Sequence, residues 1–253
     1  GGNGSAIKNS SAGESAGSSR AISVGAQCAQ DTCIGGEGGE VDVINEGSIV
    51  TYGDKAHGIL AQSIGGGGGN ASDVETRSSR SGGSNVQALS IGGSGGAGNT
   101  SGLVTVTNQG SITTYGEGSY GTLAQSIGGG GGTGSSVKTS VRTASSDVSD
   151  GSVLNQIGVG GSGGDGGDSG DVVVNNDGTI VIAGDNSYGI FAQSLSGGGG
   201  KVGASLGHPA SGFAASELRL LVGGSDGNGA DGDAGTVEIN STGDITVTGA
   251  NSH

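Results

Sequence analysis

The chain has 253 residues, of which 63 are glycine, one is proline and none is methionine or tryptophan, leaving two Phe and four Tyr as its large aromatic rings. Ile, Val, Leu and Phe total 49 and the formal charge is −14, values at which a chain without further pattern stays unfolded, so a conventional globule is excluded. Nine Lys and Arg against 23 Asp and Glu, spread thinly along the sequence, give no basic stripe to release phosphate counterions and argue against a nucleic-acid partner.

Pattern overrides composition. The apolar residues recur in short β-branched runs at a long fixed period, so order is expected from stacked repeats. Residues 1–33 read as a partial incoming repeat ending in Cys28-Ala-Gln-Asp-Thr-Cys33. Two thiols with four residues between them do not complete a tetrahedral zinc site, and a redox motif needs two intervening residues. An oxidised staple between Cys28 and Cys33, in a secreted chain, is therefore expected. The step from Ile34 to Gly47 is 13 residues, against 19 from Ile91 to Gly110, and the disulfide loop is expected to stand in for a missing glycine tract.

Units 34–90, 91–158 and 159–221 and a partial unit 222–253 follow as one continuous solenoid. Gly47-Ser-Ile-Val-Thr-Tyr-Gly, Gly110-Ser-Ile-Thr-Thr-Tyr-Gly, Gly178-Thr-Ile-Val-Ile-Ala-Gly and Gly243-Asp-Ile-Thr-Val-Thr-Gly align with starts 63, 68 and 65 residues apart. An alternating run precedes each, as in Val41-Asp-Val-Ile-Asn, and in the first three units a Gly-x-Leu/Phe-Ala-Gln-Ser-Ile/Leu segment follows. Such Val-, Ile- and Thr-rich alternation bounded by Gly, Asn and Asp predicts strand, turn, strand, turn, strand. No 3.6-residue period is sustained, and glycine costs a helix interior about 1 kcal/mol relative to alanine. Ala214–Leu221 aligns with Val86–Ser90 and is read as a fourth strand. Rungs about 4.8 Å apart are expected, with the number per unit left open.

Two columns mark turns. Asn45, Asn108 and Asn176, with Ser241 in the last copy, are residue types that tolerate left-handed turns. His57, Tyr120, Tyr188 and His253 close the next turn, either as an exposed stripe for carbohydrate contact or as rings stacked in a ladder, the second being favoured.

Glycine tracts lie between the strand groups. In 160–168 glycine pairs recur every third residue, the period at which polyproline-II helices pack closely. Asp165 and Asp168 in this tract are a weak calcium candidate, because Gly163-Gly-Asp-Gly-Gly-Asp168 begins a Gly-Gly-x-Gly-x-Asp nonapeptide. Gly170 falls where that repeat needs an apolar residue, so structural glycine is favoured and no cofactor is expected. The phosphate-loop pattern lacks its Gly-Lys-Ser/Thr ending. His57, His208 and His253 are far apart in sequence and the acidic pairs sit in glycine loops, so no catalytic constellation is expected. No run reaches the roughly 18 apolar residues of a membrane helix.

Gly58-Ile-Leu-Ala-Gln-Ser-Ile-Gly-Gly-Gly-Gly-Gly69 and its copies from Gly121 and Gly189, preceded by the Val-x-Val-x-Asn-x-Gly-x-Ile-x-Thr-x-Gly pattern, resemble the repeats of large Gram-negative autotransporter passengers. The resemblance implies a right-handed parallel β-helix with long, polyproline-II-like glycine loops, displayed at the bacterial cell surface. Its membrane attachment would be a C-terminal barrel outside these residues. The implied function is a structural stalk or adhesin in attachment or biofilm, not an enzyme, with surface glycans, surface proteins or other copies of itself as partners. A self-associating extracellular filament or matrix protein is the alternative. Ice binding through Thr105, Thr107, Thr246 and Thr248 is weighed and disfavoured because the Thr array is broken in the third copy.

Overall fold

A computed structural model describes residues 6–13, 18–25, 33–80, 85–143, 153–207, 216–222 and 230–253. These form 19 strands, numbered β1–β19 in chain order, and no helix. Every pairing is parallel and joins equivalent segments of successive repeats. Sheet I stacks β3 (Val41–Asn45), β8 (Val104–Asn108), β13 (Val172–Asn176) and β18 (Val237–Ser241). Sheet II stacks β4 (Ser48–Thr51), β9 (Ser111–Thr114), β14 (Thr179–Ile182) and β19 (Ile245–Val247). Sheet III stacks β5 (Ile59–Ile64), β10 (Tyr120–Ile127) and β15 (Tyr188–Leu195). Sheet IV stacks β1 (Ile7–Gly13), β6 (Val74–Arg80), β11 (Val137–Thr143) and β16 (Ser205–Gly207). Sheet V stacks β2 (Ser19–Val24), β7 (Val86–Ile91), β12 (Val153–Val159) and β17 (Ser216–Val222).

One repeat therefore makes one rung of a parallel β-solenoid, which settles the count the sequence left open. The spacing of 63 residues between Asn45 and Asn108, and of 68 between Asn108 and Asn176, is one full circuit. The fourth strand expected near Ala214–Leu221 is β17, whose Val222 pairs with Val159 as Val159 pairs with Ile91. Sheet IV was not foreseen.

Sheets I, II and III enclose one core. Val104, Val106, Ile112, Val172, Ile180 and Ile182 are each buried there, and alternate residues of their strands point inward, as a two-residue period requires. Ala61 and Ala124 of the Ala-Gln-Ser segment face the same core. The serine that follows is a clasp. Ser126 Oγ donates to the Gly102 carbonyl at 2.9 Å and accepts from the Gly170 amide at 2.9 Å, and Ser63 and Ser194 make the same pair of bonds one rung away on either side. Sheets IV and V face each other over a second, smaller core of Val86, Ala88, Val141 and Leu154. Much of that interior is hydroxyl: Ser90 donates to Thr76 at 2.7 Å and receives from Thr139 at 3.0 Å, all three buried.

Two glycine arms join the cores in each rung: a first arm leading out from sheet III (65–73, 128–136, 196–204) and a second returning to sheet I (33–40, 92–103, 160–171, 230–236). Their hydrogen bonds repeat every three residues, the pattern of packed polyproline-II helices. One rung on, Gly128 donates to Leu195 at the end of β15 at 2.7 Å, and Gly131 and Gly134 donate to Gly198 and Lys201 of the same arm at 2.9 and 2.8 Å. Gly129, Gly132 and Ser135 donate to Asn99, Gly96 and Gly93 at 2.9, 2.8 and 2.9 Å, so the two arms run antiparallel. Gly130, Thr133 and Ser136 face outward, and the Thr133 and Ser136 amides donate to Asn70 Oδ1 and Asp73 Oδ1 of the preceding rung at 2.7 and 3.1 Å.

That arrangement dictates where glycine is obligatory. A Cβ on Gly132 would fall on the Gly69 carbonyl and one on Gly131 on the Gly164 carbonyl, well inside 3 Å of rigid backbone. A Cβ on Gly130 would meet nothing nearer than the Gly198 oxygen at 3.7 Å. The repeat glycines obey the same rule, since Gly110 and Gly178 lie directly over the carbonyls of Gly47 and Gly110.

The two arm positions make a controlled pair. Gly132→Ala is expected to destabilise by about 1–3 kcal/mol through overpacking. Gly130→Ala should be neutral or stabilising by up to about 1 kcal/mol, because only unfolded-state freedom is lost. Denaturant midpoints of the two variants check the difference.

Candidate interaction surfaces

The turn columns come first. Asn108 is buried, and its amide donates to Asn176 Oδ1 at 2.7 Å while its own Oδ1 accepts from Asn45 Nδ2 at 2.7 Å; Ser241 ends the ladder at 3.1 Å from Asn176. None of the three asparagines has a positive φ, so the column exists for this side-chain ladder and not for a left-handed backbone. The left-handed positions belong to the next turn, at Lys55 (φ 56°), Gly118 (65°), Asn186 (52°) and Asn251 (54°).

In that second turn the rings stack. His57 lies 4.8 Å from Tyr120 with planes 8° apart, Tyr120 is 5.2 Å from Tyr188 edge to face, and Tyr188 is 5.6 Å from His253. His57 Nδ1 also accepts from the Tyr120 amide at 3.1 Å, which places the imidazole proton on Nε2. Phe191 of sheet III closes on both tyrosines at 5.6 and 5.7 Å. The column is a structural ladder, with His57, Tyr120 and Tyr188 half-buried and His253 exposed. A second stack went unnoticed in the sequence. Tyr52 and Tyr115, from the Thr-Tyr-Gly motif, lie parallel at 5.1 Å and are 76% and 50% exposed. On sheet III, Gln62, Gln125 and Gln193 form an amide ladder at 2.6 and 3.1 Å.

Three acidic residues of the second arm are occupied structurally. Asp165 Oδ1 accepts from the Ala230 amide at 2.9 Å and Asp168 Oδ1 from the Asp233 amide at 2.8 Å. Each carboxylate satisfies an outward-facing amide of the next rung that has no arm carbonyl to bond. Asp171 does the same for Thr236, at 2.7 Å from its amide and 2.9 Å from its Oγ1, and the amide bond, then the hydroxyl bond, holds the Asp171 carboxyl below its usual range. Among the described residues no three His, Cys, Asp or Glu side chains converge as metal ligands.

Cys28 and His208 lie outside the described residues, and Cys33 is half-buried with a free thiol. The register corrects the expected role of the cysteine loop. Val24, not Ile34, pairs with Ile91, and 16 residues (25–40) join β2 to β3 where 12 (92–103) join β7 to β8. The cysteine segment is thus an insertion into the arm. The arm itself persists, with the Cys33 carbonyl accepting from Gly69 as Gly96 accepts from Gly132. The Thr pairs do not form one face: Thr105 and Thr107 lie on sheet I in register with Val173 and Asn175, whereas Thr246 lies on sheet II opposite Val181.

Folding also collects the scattered cations. Strands of sheets IV and V carry seven of the nine Lys and Arg, namely Lys8, Arg20, Arg77, Arg80, Lys138, Arg142 and Arg219, against Glu75 and Glu217. Among the described residues outside those strands, Lys55 and Lys201 stand against 16 Asp and Glu. On the outer face of sheet IV, Arg77 pairs with Glu75, and Arg77 and Arg142 together line two adjoining hollows of about 170 and 430 Å³, the first shared with Glu75, Lys138 and Ser140 and the second with Ser10 and Ser140. No family model matches the chain, and no curated protein and no solved structure is significantly similar to it.

The Asp171 bonds carry a pH signature. Its carboxyl titrates lower in the folded chain than in the unfolded one, so its contribution is fully present above the ordinary value of 3.8 and is lost as pH falls through the lowered folded value. Unfolding measured between neutral pH and the acid limit should show stability falling below that value, and Asp171→Asn should flatten this part of the profile.

Proposed function

We propose that the chain is a surface-displayed passenger segment of the autotransporter kind, extracellular and carried at the bacterial outer membrane by a barrel outside these residues, acting as a structural and adhesive element and not as an enzyme. The observation that carries this is the division of labour along the glycine arms. Two residues of every three close the backbone network, and the third is presented outward. A rung of some 65 residues climbs only about 4.8 Å, whereas a nine-residue arm spans about 28 Å at 3.1 Å per residue. The repeat therefore builds breadth more than reach. Broad rigid faces suit attachment, and an edge of parallel strands suits extension by further rungs.

The self-associating filament or matrix protein is kept as the second reading because the strands of sheets IV and V carry most of the cations while the second arm presents carboxylates. Antibody raised against the folded chain should label intact producing cells without permeabilisation, and deletion of the repeats should reduce attachment to surfaces. Labelling confined to permeabilised cells would sink the proposal.

A further inference from the structure

We infer that the outer face of sheet IV is a docking surface for the acidic second arm of another copy of this chain. The inference rests on the fold and its charge distribution alone and stands whether or not the chain is displayed on a cell.

The basic face is built by register. Lys8, Glu75 and Lys138 are aligned across β1, β6 and β11, Arg77 pairs with Ser140, and Arg142 lies two residues further along β11. Arg77 and Arg142 are one rung and two residues apart, a backbone separation of about 8 Å at 4.8 Å per rung and 3.3 Å per residue. The second arm presents Asp165, Asp168 and Asp171 at every third residue, about 9 Å apart at 3.1 Å per residue. The two rows match in spacing and oppose in sign. One carboxylate oxygen of each Asp bonds an amide of its own neighbouring rung, so its other oxygen is the one left for a guanidinium. The larger hollow, lined by Arg77, Arg142 and serines with no carboxylate of its own, gives such a carboxylate somewhere to enter.

A net charge of −14 opposes approach of two copies at long range. That opposition is screened beyond about 8 Å at physiological ionic strength, while charges in contact keep their attraction. Because the basic face and the acidic arm are different patches, each docking event leaves one of each free. The contact is heterologous, so association continues past the dimer into open strings or a larger ring.

Sedimentation velocity of the 253-residue chain tests this. At about 0.15 M salt the weight-average mass should rise with concentration, and at about 1 M salt it should return to the monomer. Arg77→Glu with Arg142→Glu, and separately Asp165→Asn with Asp168→Asn, should each raise the concentration needed for association by about tenfold or more. The Asn variants keep the amide-accepting oxygen, as Asn70 does for Thr133, and circular dichroism should show both pairs folded. A mixture of the two variants should give one-to-one dimers that grow no further, since each retains one half of the contact. A wild-type chain that stays monomeric at 0.15 M salt, association undiminished in either variant, or binding of soluble polyglutamate by the basic face without self-association would each overturn the inference.

Discussion

The glycine arms exist because backbone amides and carbonyls of neighbouring segments bond directly to one another in two directions at once. Such bonds require backbones to approach more closely than a Cβ permits, and the collisions found at Gly131, Gly132, Gly164 and Gly167 show how little room remains. Many of the chain's glycines are therefore a structural requirement, not a sign of disorder. A polar network of this kind also removes the need for a large oily interior. Buried amides find partners in the adjacent rung, and the two small apolar cores have only to hold the ends of the arms in register.

Because every rung touches only the rungs above and below, stability accumulates by nearest-neighbour terms, as in other solenoids. The side-chain ladders refine this. Asn, Gln, aromatic and Asp columns repeat the same contact at each step, and the Ser126 clasp ties a strand of one rung to the arms on both sides. A substitution in one column is consequently felt in two interfaces.

Much of this was legible in the sequence. The alternating Val and Ile runs gave sheets I, II and III and the period of the rung, and the three-residue spacing of glycine gave the arms. Sheet IV escaped because its inward positions are Thr76, Ser78 and Thr139 as well as valines, so the apolar alternation that marks a strand is diluted by hydroxyls that satisfy one another across the core. The asparagine column was placed at the correct turn for the wrong reason, since its amides bond along the stack while the left-handed residues lie at the neighbouring turn. The cysteine segment was misplaced because Ile34 resembles Ile91 in its flanking glycines, although Val24 is the true register partner. The gathering of Lys8, Arg77, Lys138 and Arg142 was invisible for a different reason: one circuit of the solenoid separates residues that become neighbours.

The length of that circuit has a mechanical side. A folded rung adds about 4.8 Å to the stack, yet the same 65 or so residues, once peeled from an end and drawn out, span about 220 Å at 3.3–3.6 Å per residue. Tension would detach rungs one after another, each adding about 215 Å to the tether, some forty-five times its folded rise, while the remainder stays intact. Pulled from one end, a chain of this design yields in discrete steps and dissipates work while its remaining rungs hold.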